Sequence, residues 1–190
     1  MDVAERGSFT HQRKGDEVKK MIKDKSPFLN ISHLGWVVKD INKAIKYYED
    51  LGIGPWYKYT LPSPGHDFMR REHLGKPAES VVFEIALAKW GTIVVELFEV
   101  ISGDSLPKRF LESKGEGIWH IGYLVNPEEF DKAVAEMTAK GFKITGSSTY
   151  KNGARQVFFD TDKIGGVAFQ LHDYPPEFTT IASTMGILLT

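Results

Sequence analysis

The chain has no cysteine among its 190 residues. Disulfides, zinc–thiolate sites and thiol nucleophiles are therefore excluded, and the redox compartment is left open. It has almost no net charge: 24 basic and 25 acidic residues leave a formal −1, so no basic field points to nucleic acid. It also lacks any apolar run approaching the ~18 residues of a membrane-spanning helix. The opening MDVAERGSFTHQRKGDEVKK is polar and has no apolar stretch of the signal-peptide kind. These absences set the expectation of a cytoplasmic protein with neither nucleic acid nor membrane as partner. What is present is ordinary for a folded domain, 42% hydrophobic and 26% charged.

Residues 1–28 read as a charged extension without periodicity, and 174–190 as a tail with an apolar end. The folded part is expected over 29–173. HLGWVV is a strand. Asp40 caps a helix with Ile41, Ala44, Ile45, Tyr48 and Leu51 on one face. WYKYT is the next strand, and SVVFEIALA and TIVVELFEV form a hairpin near Lys89-Trp90-Gly91. GIWHIGYLV then begins the pattern again. Pro127 opens a helix with Phe130, Ala133, Val134 and Met137 aligned, and three strands follow, FKITGSSTY, RQVFFDT and GVAFQLHD. Residues 61–79, rich in proline, glycine and histidine, interrupt only the first half and read as a long binding loop.

The chain thus repeats itself, over 29–101 and 117–173. SHLGWVVKDINKAIKYYEDLGI aligns with WHIGYLVNPEEFDKAVAEMTAKGF, including a His-x-Gly at the same place. A βαβββ unit used twice gives an α+β fold in which two curved antiparallel sheets enclose a cavity, each with a helix on its outer face.

The pattern resembles the vicinal oxygen chelate superfamily of glyoxalases, bleomycin-resistance proteins and dioxygenases. Within it, GTIVVELFEVISGDSLPKRFLESKGEGIWHIGYLV is most similar to the methylmalonyl-CoA epimerases, with Trp119 where those carry the first histidine of a pair. The resemblance implies metal ligands on the first and last strand of each unit, which are His33 and Glu96, and His120 and Gln170. The spacing agrees. Glu96 follows His33 by 63 residues and Gln170 follows His120 by 50, and the 13-residue difference fits within 61–79. Strand alternation agrees too, since each of the four sits opposite apolar residues of its strand, such as Leu34, Trp36 and Val38 for His33, that face the other way.

Two imidazoles, a carboxylate and an amide oxygen suit a divalent ion such as Zn²⁺, Co²⁺, Ni²⁺ or Mn²⁺. The resemblance implies a metal-dependent isomerase or epimerase that stabilises the enolate of a small oxo-acid or acyl thioester. A glyoxalase-like lyase and a metal-free binding protein of the bleomycin-resistance type are the alternatives. The partner is expected to be a small anionic molecule, and the assembly a homodimer. Gln170 stands where epimerases and glyoxalases carry a glutamate, and an amide cannot act as a base. Glu84 is the expected replacement, opposite Glu96 across the hairpin and facing the cavity. His66, Arg70, Arg71 and His73 in the long loop, and Arg155, are further candidates for gripping an anion. His172 shares the Gln170 face and is expected to be solvent-exposed near its strand end.

Overall fold

The computed structural model describes residues 26–63 and 67–174. Most of the expected extension, the tail beyond Tyr174, and His66 lie outside the described residues. Among the described residues, ten strands form one curled sheet. The first unit is β1 (Ile31–Val37), α1 (Ile41–Asp50), β2 (Tyr57–Leu61), β5 (Val82–Trp90) and β6 (Ile93–Ser102). A helix α2 (Leu106–Lys114) links it to the second unit, which is β7 (Gly117–Leu124), α3 (Phe130–Ala139), β8 (Ile144–Tyr150), β9 (Arg155–Phe159) and β10 (Ala168–Asp173). Two more strands, β3 (Phe68–His73) and β4 (Lys76–Pro77), lie in the stretch read as a loop.

The strand order is β2-β5-β6-β1-β7-β10-β9-β8-β3-β4. Two four-strand units meet where β1 pairs antiparallel with β7. The sheet is mixed rather than antiparallel throughout, because β1–β6 and β7–β10 are parallel pairs. The reason is the crossover. Each helix returns the chain in its original direction, and two successive reversals bring the last strand back parallel to the first. The insertion does not stay with its own unit. β3 leaves the first half and pairs antiparallel with β8, the far edge of the second, with Arg71 opposite Ser148. Backbone groups of that edge are thereby satisfied, which a flexible loop would have left open.

Three apolar clusters follow from strand alternation. Val38, Ile41, Ala86, Val95 and Leu97 pack beneath α1, joined by Trp36 and Tyr48. Tyr123, Phe130, Ala133, Met137, Phe159 and Leu171 pack beneath α3. Phe28, the last residue of the expected extension, joins this second cluster by packing edge-on against Tyr123 and Phe169. The third cluster lies on the opposite face of the sheet and includes Val37, Phe83, Ile85, Phe98, Trp119 and Phe158. Leu51 does not complete the helix face as expected. It is the C-cap of α1 and stands exposed. Asp40 caps as expected, accepting from the backbone N–H of Asn42 and Lys43, while Glu99 of β6 accepts from Ile41 N–H at 2.8 Å and ties the helix start to the sheet.

Arg155 is not free to hold a ligand. Asp173, only 2% exposed, accepts from its backbone N–H at 2.8 Å and from its Nε at 2.9 Å. Its guanidinium also pairs with Asp131, donates to the carbonyl of Pro127, and lies 4.4 Å from the Phe130 ring. One side chain thus rivets β9, β10 and the start of α3. Removing it leaves a buried carboxylate without its cation, the costly half of breaking such a pair. Arg155→Ala is therefore expected to lower stability by about 3 kcal/mol, read as a shifted urea midpoint. Lys46→Ala, which breaks the exposed Lys46–Asp50 pair, is expected to leave the midpoint unchanged.

Candidate metal centre

Four of the sequence candidates meet on the concave face, where the units join. Two cross-strand rungs carry them. One runs Glu96 (β6), Gly35 (β1), His120 (β7), Ala168 (β10). The other runs Gln170 (β10), Gly122 (β7), His33 (β1), Val94 (β6). Exchanging the two units converts one rung into the other, with Glu96 and Gln170 as counterparts. Residues opposite one another across paired strands share a face, so all four polar side chains lie on the concave side; His33, Glu96 and Gln170 line the cavity, and His120 is fully buried beside them.

The His-x-Gly repeat now has a physical explanation. The two strands are antiparallel, so the histidine of each lies opposite the glycine of the other. A methyl carbon at Gly35 would lie 1.9 Å from His120 Cε1, and one at Gly122 would lie 2.1 Å from His33 Cε1. Each imidazole leans across the bare backbone of the facing strand, and any side chain there would occupy the ring's place. Neither glycine has a positive φ. Close approach, not backbone freedom, is what requires them.

A bulge precedes each histidine. On β1 the register skips Ser32 between Ile31↔Tyr123 and His33↔Gly122, and on β7 it skips Trp119 between Ile118↔Trp36 and His120↔Gly35. A bulge turns two successive side chains to one side. Trp119 thereby becomes a buried wall of the cavity, stacked on Phe158 with ring centres 4.8 Å apart. Ser32 becomes a hydrogen-bonding partner: its Oγ lies 2.9 Å from His33 Nδ1, 2.6 Å from His172 Nε2 and 3.0 Å from the carbonyl oxygen of Gly122. A hydroxyl has one proton. When it donates to the carbonyl, it accepts from His33 Nδ1–H and His172 Nε2–H, which leaves His33 Nε2 with its lone pair facing the cavity. His172 is buried, contrary to the expectation of an exposed strand end. Ser32 and His172 are the members of the site that sequence reasoning missed or misplaced. Only the bulge and the β7–β10 pairing bring them beside His33.

His33 Nε2 lies 2.9 Å from His120 Nε2 and 3.3 Å from Glu96 Oε2, and His120 Nε2 lies 3.7 Å from the same oxygen. Adjacent donors on an ion with bonds of ~2.1 Å sit about 3 Å apart, so the spacing fits a common centre. Gln170 donates from Nε2 to Gln156 Oε1 at 2.9 Å, while its own Oε1 is buried without a hydrogen-bond partner among the described residues. An orphaned acceptor beside three lone-pair donors is what a fourth oxygen ligand would present.

Burial sets the charge state. It lowers His33 to about 4, opposed by the neighbouring Gln170 side chain. It lowers His120 and His172 well below the ordinary histidine value, with His33 adding to the effect on both. It raises Glu96 to about 8. All these shifts run towards neutral forms, so the His33–Glu96 contact joins an imidazole to a carboxyl group rather than forming an ion pair.

Glu84 does not join them. It pairs with Glu99, while Leu87 is the residue opposite Glu96. Like Glu99, it faces α1 on the outer side. There it accepts from Thr60 Oγ1 at 2.6 Å and pairs with Lys58, which also reaches Asn42 of the helix. The expected register misses by three residues because β5 continues through Trp90 before turning at Gly91-Thr92. An odd shift exchanges faces. Arg70 pairs with Glu72 in an exposed position, and His73 lies 3.2 Å from Arg109, which is itself paired with Asp104. Arg71 enters the cavity wall. The cavity has a volume of about 310 Å³ and extends from His33, Glu96 and Gln170 past Tyr59 and Tyr150 to β3.

Comparison with known proteins agrees with this architecture. A family model described as Glyoxalase/Bleomycin resistance protein/Dioxygenase superfamily matches residues 32–159. The uncharacterized protein YqjC of Bacillus subtilis (strain 168) is 31% identical over 97 residues, which are 50% of this chain and 57% of that protein, so the match spans little more than half the relative's length. Among solved structures, methylmalonyl-CoA epimerase from Mycobacterium tuberculosis is similar with a TM-score of 0.56 and 20% identity, over 82% of this chain and 94% of that one. A hypothetical protein from Bacillus halodurans C-125 gives 0.53 and 21%, over 77% and 94%. Streptomyces coelicolor methylmalonyl-CoA epimerase in complex with 2-nitronate-propionyl-CoA gives 0.51 and 18%, over 77% and 98%. At these identities the structures speak for the fold, and the family match spans most of the chain. The duplicated unit, the curled mixed sheet and the matched residues together show that this chain belongs to the glyoxalase/bleomycin resistance protein/dioxygenase superfamily.

Proposed function

We propose that the protein is a metal-dependent isomerase or epimerase whose ion is held by His33, Glu96, His120 and Gln170, and which removes a proton from the carbon beside a carbonyl of a small acid or acyl thioester. The observation that carries this reading is the convergence of three donor atoms, two imidazole nitrogens and a carboxyl oxygen, within 4.8 Å of one another. A divalent ion there supplies Lewis-acid polarisation of the substrate's oxygen atoms. The chain's own residues do the rest. Ser32 holds the His33 ring with its Nε2 lone pair inward. Trp119, Phe98 and Phe158 keep the inner end dry, which strengthens every electrostatic contact made there. The amide of Gln170 offers an oxygen without adding a second negative charge, so an ion held by these four keeps net positive charge towards an anionic ligand.

The proton acceptor is the remaining question, since Glu84 lies on the outer face. Among the described residues four carboxylates line the cavity, Glu72, Glu79, Glu96 and Asp104. Glu72 and Asp104 are paired with arginines, and Glu79 is exposed. Glu96 alone reaches the inner end, and we assign proton transfer to its second oxygen. The alternative of a metal-free binding protein is less favoured by the same geometry, because it leaves unexplained why three possible ligand atoms crowd together beside a buried, unpartnered amide oxygen.

Elemental mass spectrometry of the purified protein tests the reading, with about one divalent ion per chain expected and loss of it in His33→Ala. Retention in that variant, or absence after reloading the wild type, overturns the metal assignment. The raised pKa gives a second test. Glu96 must lose its proton to bind an ion, while burial already keeps His33 and His120 neutral at pH 6.5. Binding at pH 6.5 is therefore expected to release about one proton per chain, read by calorimetry in buffers of different ionisation enthalpy. The release should fade above pH 8 and vanish in Glu96→Gln. The glycines give a third. Gly35→Ala is expected to displace the His120 ring and weaken metal binding by 10-fold or more, whereas Gly52→Ala, at an open helix end, should leave metal binding unchanged. Exchange of a substrate α-proton with deuterated solvent, abolished in Glu96→Gln, would establish the chemistry.

A further inference from the structure

We propose that Arg71 is the substrate's carboxylate-binding residue, so that the cavity takes a small acid gripped at one end by the Arg71 guanidinium and presented by its other oxygen atoms to the centre at His33, Glu96 and His120. The proposal rests on the metal-centre reading for its second half only. Of the three arginines among the described residues that line the cavity, two are committed within the protein. Arg109 pairs with Asp104, and Arg155 with Asp173 and Asp131. Arg71 is half-buried and has no acidic partner among the described residues. Its Nη1 donates to the carbonyl oxygen of Glu79 at 2.7 Å, and its guanidinium lies 5.0 Å from the Phe68 ring centre. One hydrogen bond and one ring face hold the group in place and leave most of its five N–H donors unspent.

Its position is set by the insertion. β3 crosses to the second unit and places Arg71 opposite Ser148, a buried residue of the cavity wall. Tyr150, two residues along β8, is half-buried in the same cavity wall, and its hydroxyl feels both Arg71 and Glu96. The two ends thus belong to one cavity. Its volume of about 310 Å³ is at the small end for ligand sites, enough for a short acid or the acyl end of a larger one. Partial burial without a counter-charge weakens the guanidinium's hold on its proton. A ligand carboxylate is the group that reverses this cost, and a planar two-oxygen anion matches the guanidinium fork.

Succinate, with its neutral diamide as control, is the probe. Calorimetric titration of the metal-loaded chain is expected to show succinate binding and no binding of the diamide. In Arg71→Lys, which keeps charge but loses the fork, binding should weaken at least tenfold, and in Arg71→Met it should disappear. Metal content should stay at the wild-type level in both variants, which separates this site from the metal ligands. Equal succinate affinity in wild type and Arg71→Met, or no succinate binding by a folded, metal-loaded wild type, overturns the proposal. Tighter binding of inorganic phosphate with the same dependence on Arg71 overturns the carboxylate assignment. Failure of the metal reading is separately visible: a wild-type chain that takes no ion yet binds succinate through Arg71 keeps this site and discards that one.

Discussion

Everything at the centre of this molecule depends on two imidazole rings lying across two glycines. The junction of β1 and β7 is where the two units become one sheet, and it is also where the candidate ligands converge. An antiparallel pairing with His33 opposite Gly122 and Gly35 opposite His120 lets each ring fold over its neighbour's backbone. Both then reach the same point between the strands. With a side chain at either glycine, the ring would have to rise away from the sheet, and the 2.9 Å approach of the two Nε2 atoms could not form. The seam that holds the fold together is therefore the same feature that builds the site.

The duplication supplies a symmetric frame, and its departures from symmetry carry the chemical individuality. Glu96 and Gln170 occupy equivalent rung positions, yet one can carry charge and the other cannot. Ser32 and Trp119 occupy equivalent bulges, yet one is a hydrogen-bonding partner of a histidine and the other an apolar wall. The insertion after β2 has no counterpart. By pairing with the second unit's edge it closes the cavity's outer part and adds a cation to its wall. The frame fixes where the side chains point, while unequal residues on equal positions set their chemistry.

Burial governs the electrostatics. In the chain alone, desolvation keeps the histidines uncharged and holds a proton on Glu96 up to about pH 8. A cluster of neutral groups is tolerable inside a protein, and one of free charges is not. The same burial would make the interaction with a multivalent cation strong once the carboxyl proton leaves.

The amino-acid sequence by itself determined the repeat, the helix under each half and the polar residues that share the concave face. These follow from periodicity: alternation along a strand and 3.6-residue spacing along a helix are written in neighbouring positions. His33, Glu96, His120 and Gln170 were legible because two copies of one pattern cross-check each other. The resemblance to a family supplied the role proposed for them. What needed the tertiary structure was everything set by pairing between distant strands. Glu84 was read on the wrong face because a hairpin's turn can move by one or three residues with little trace in composition, and any odd shift reverses a strand's sides. Ser32 and His172 meet through a bulge and a parallel pairing 140 residues apart in sequence. Arg71 became a cavity residue, and Arg155 a structural one, because partners contributed by other strands decide whether a cation is spent or available. Local spacing fixes which way a side chain faces, and only the assembled sheet decides what it faces.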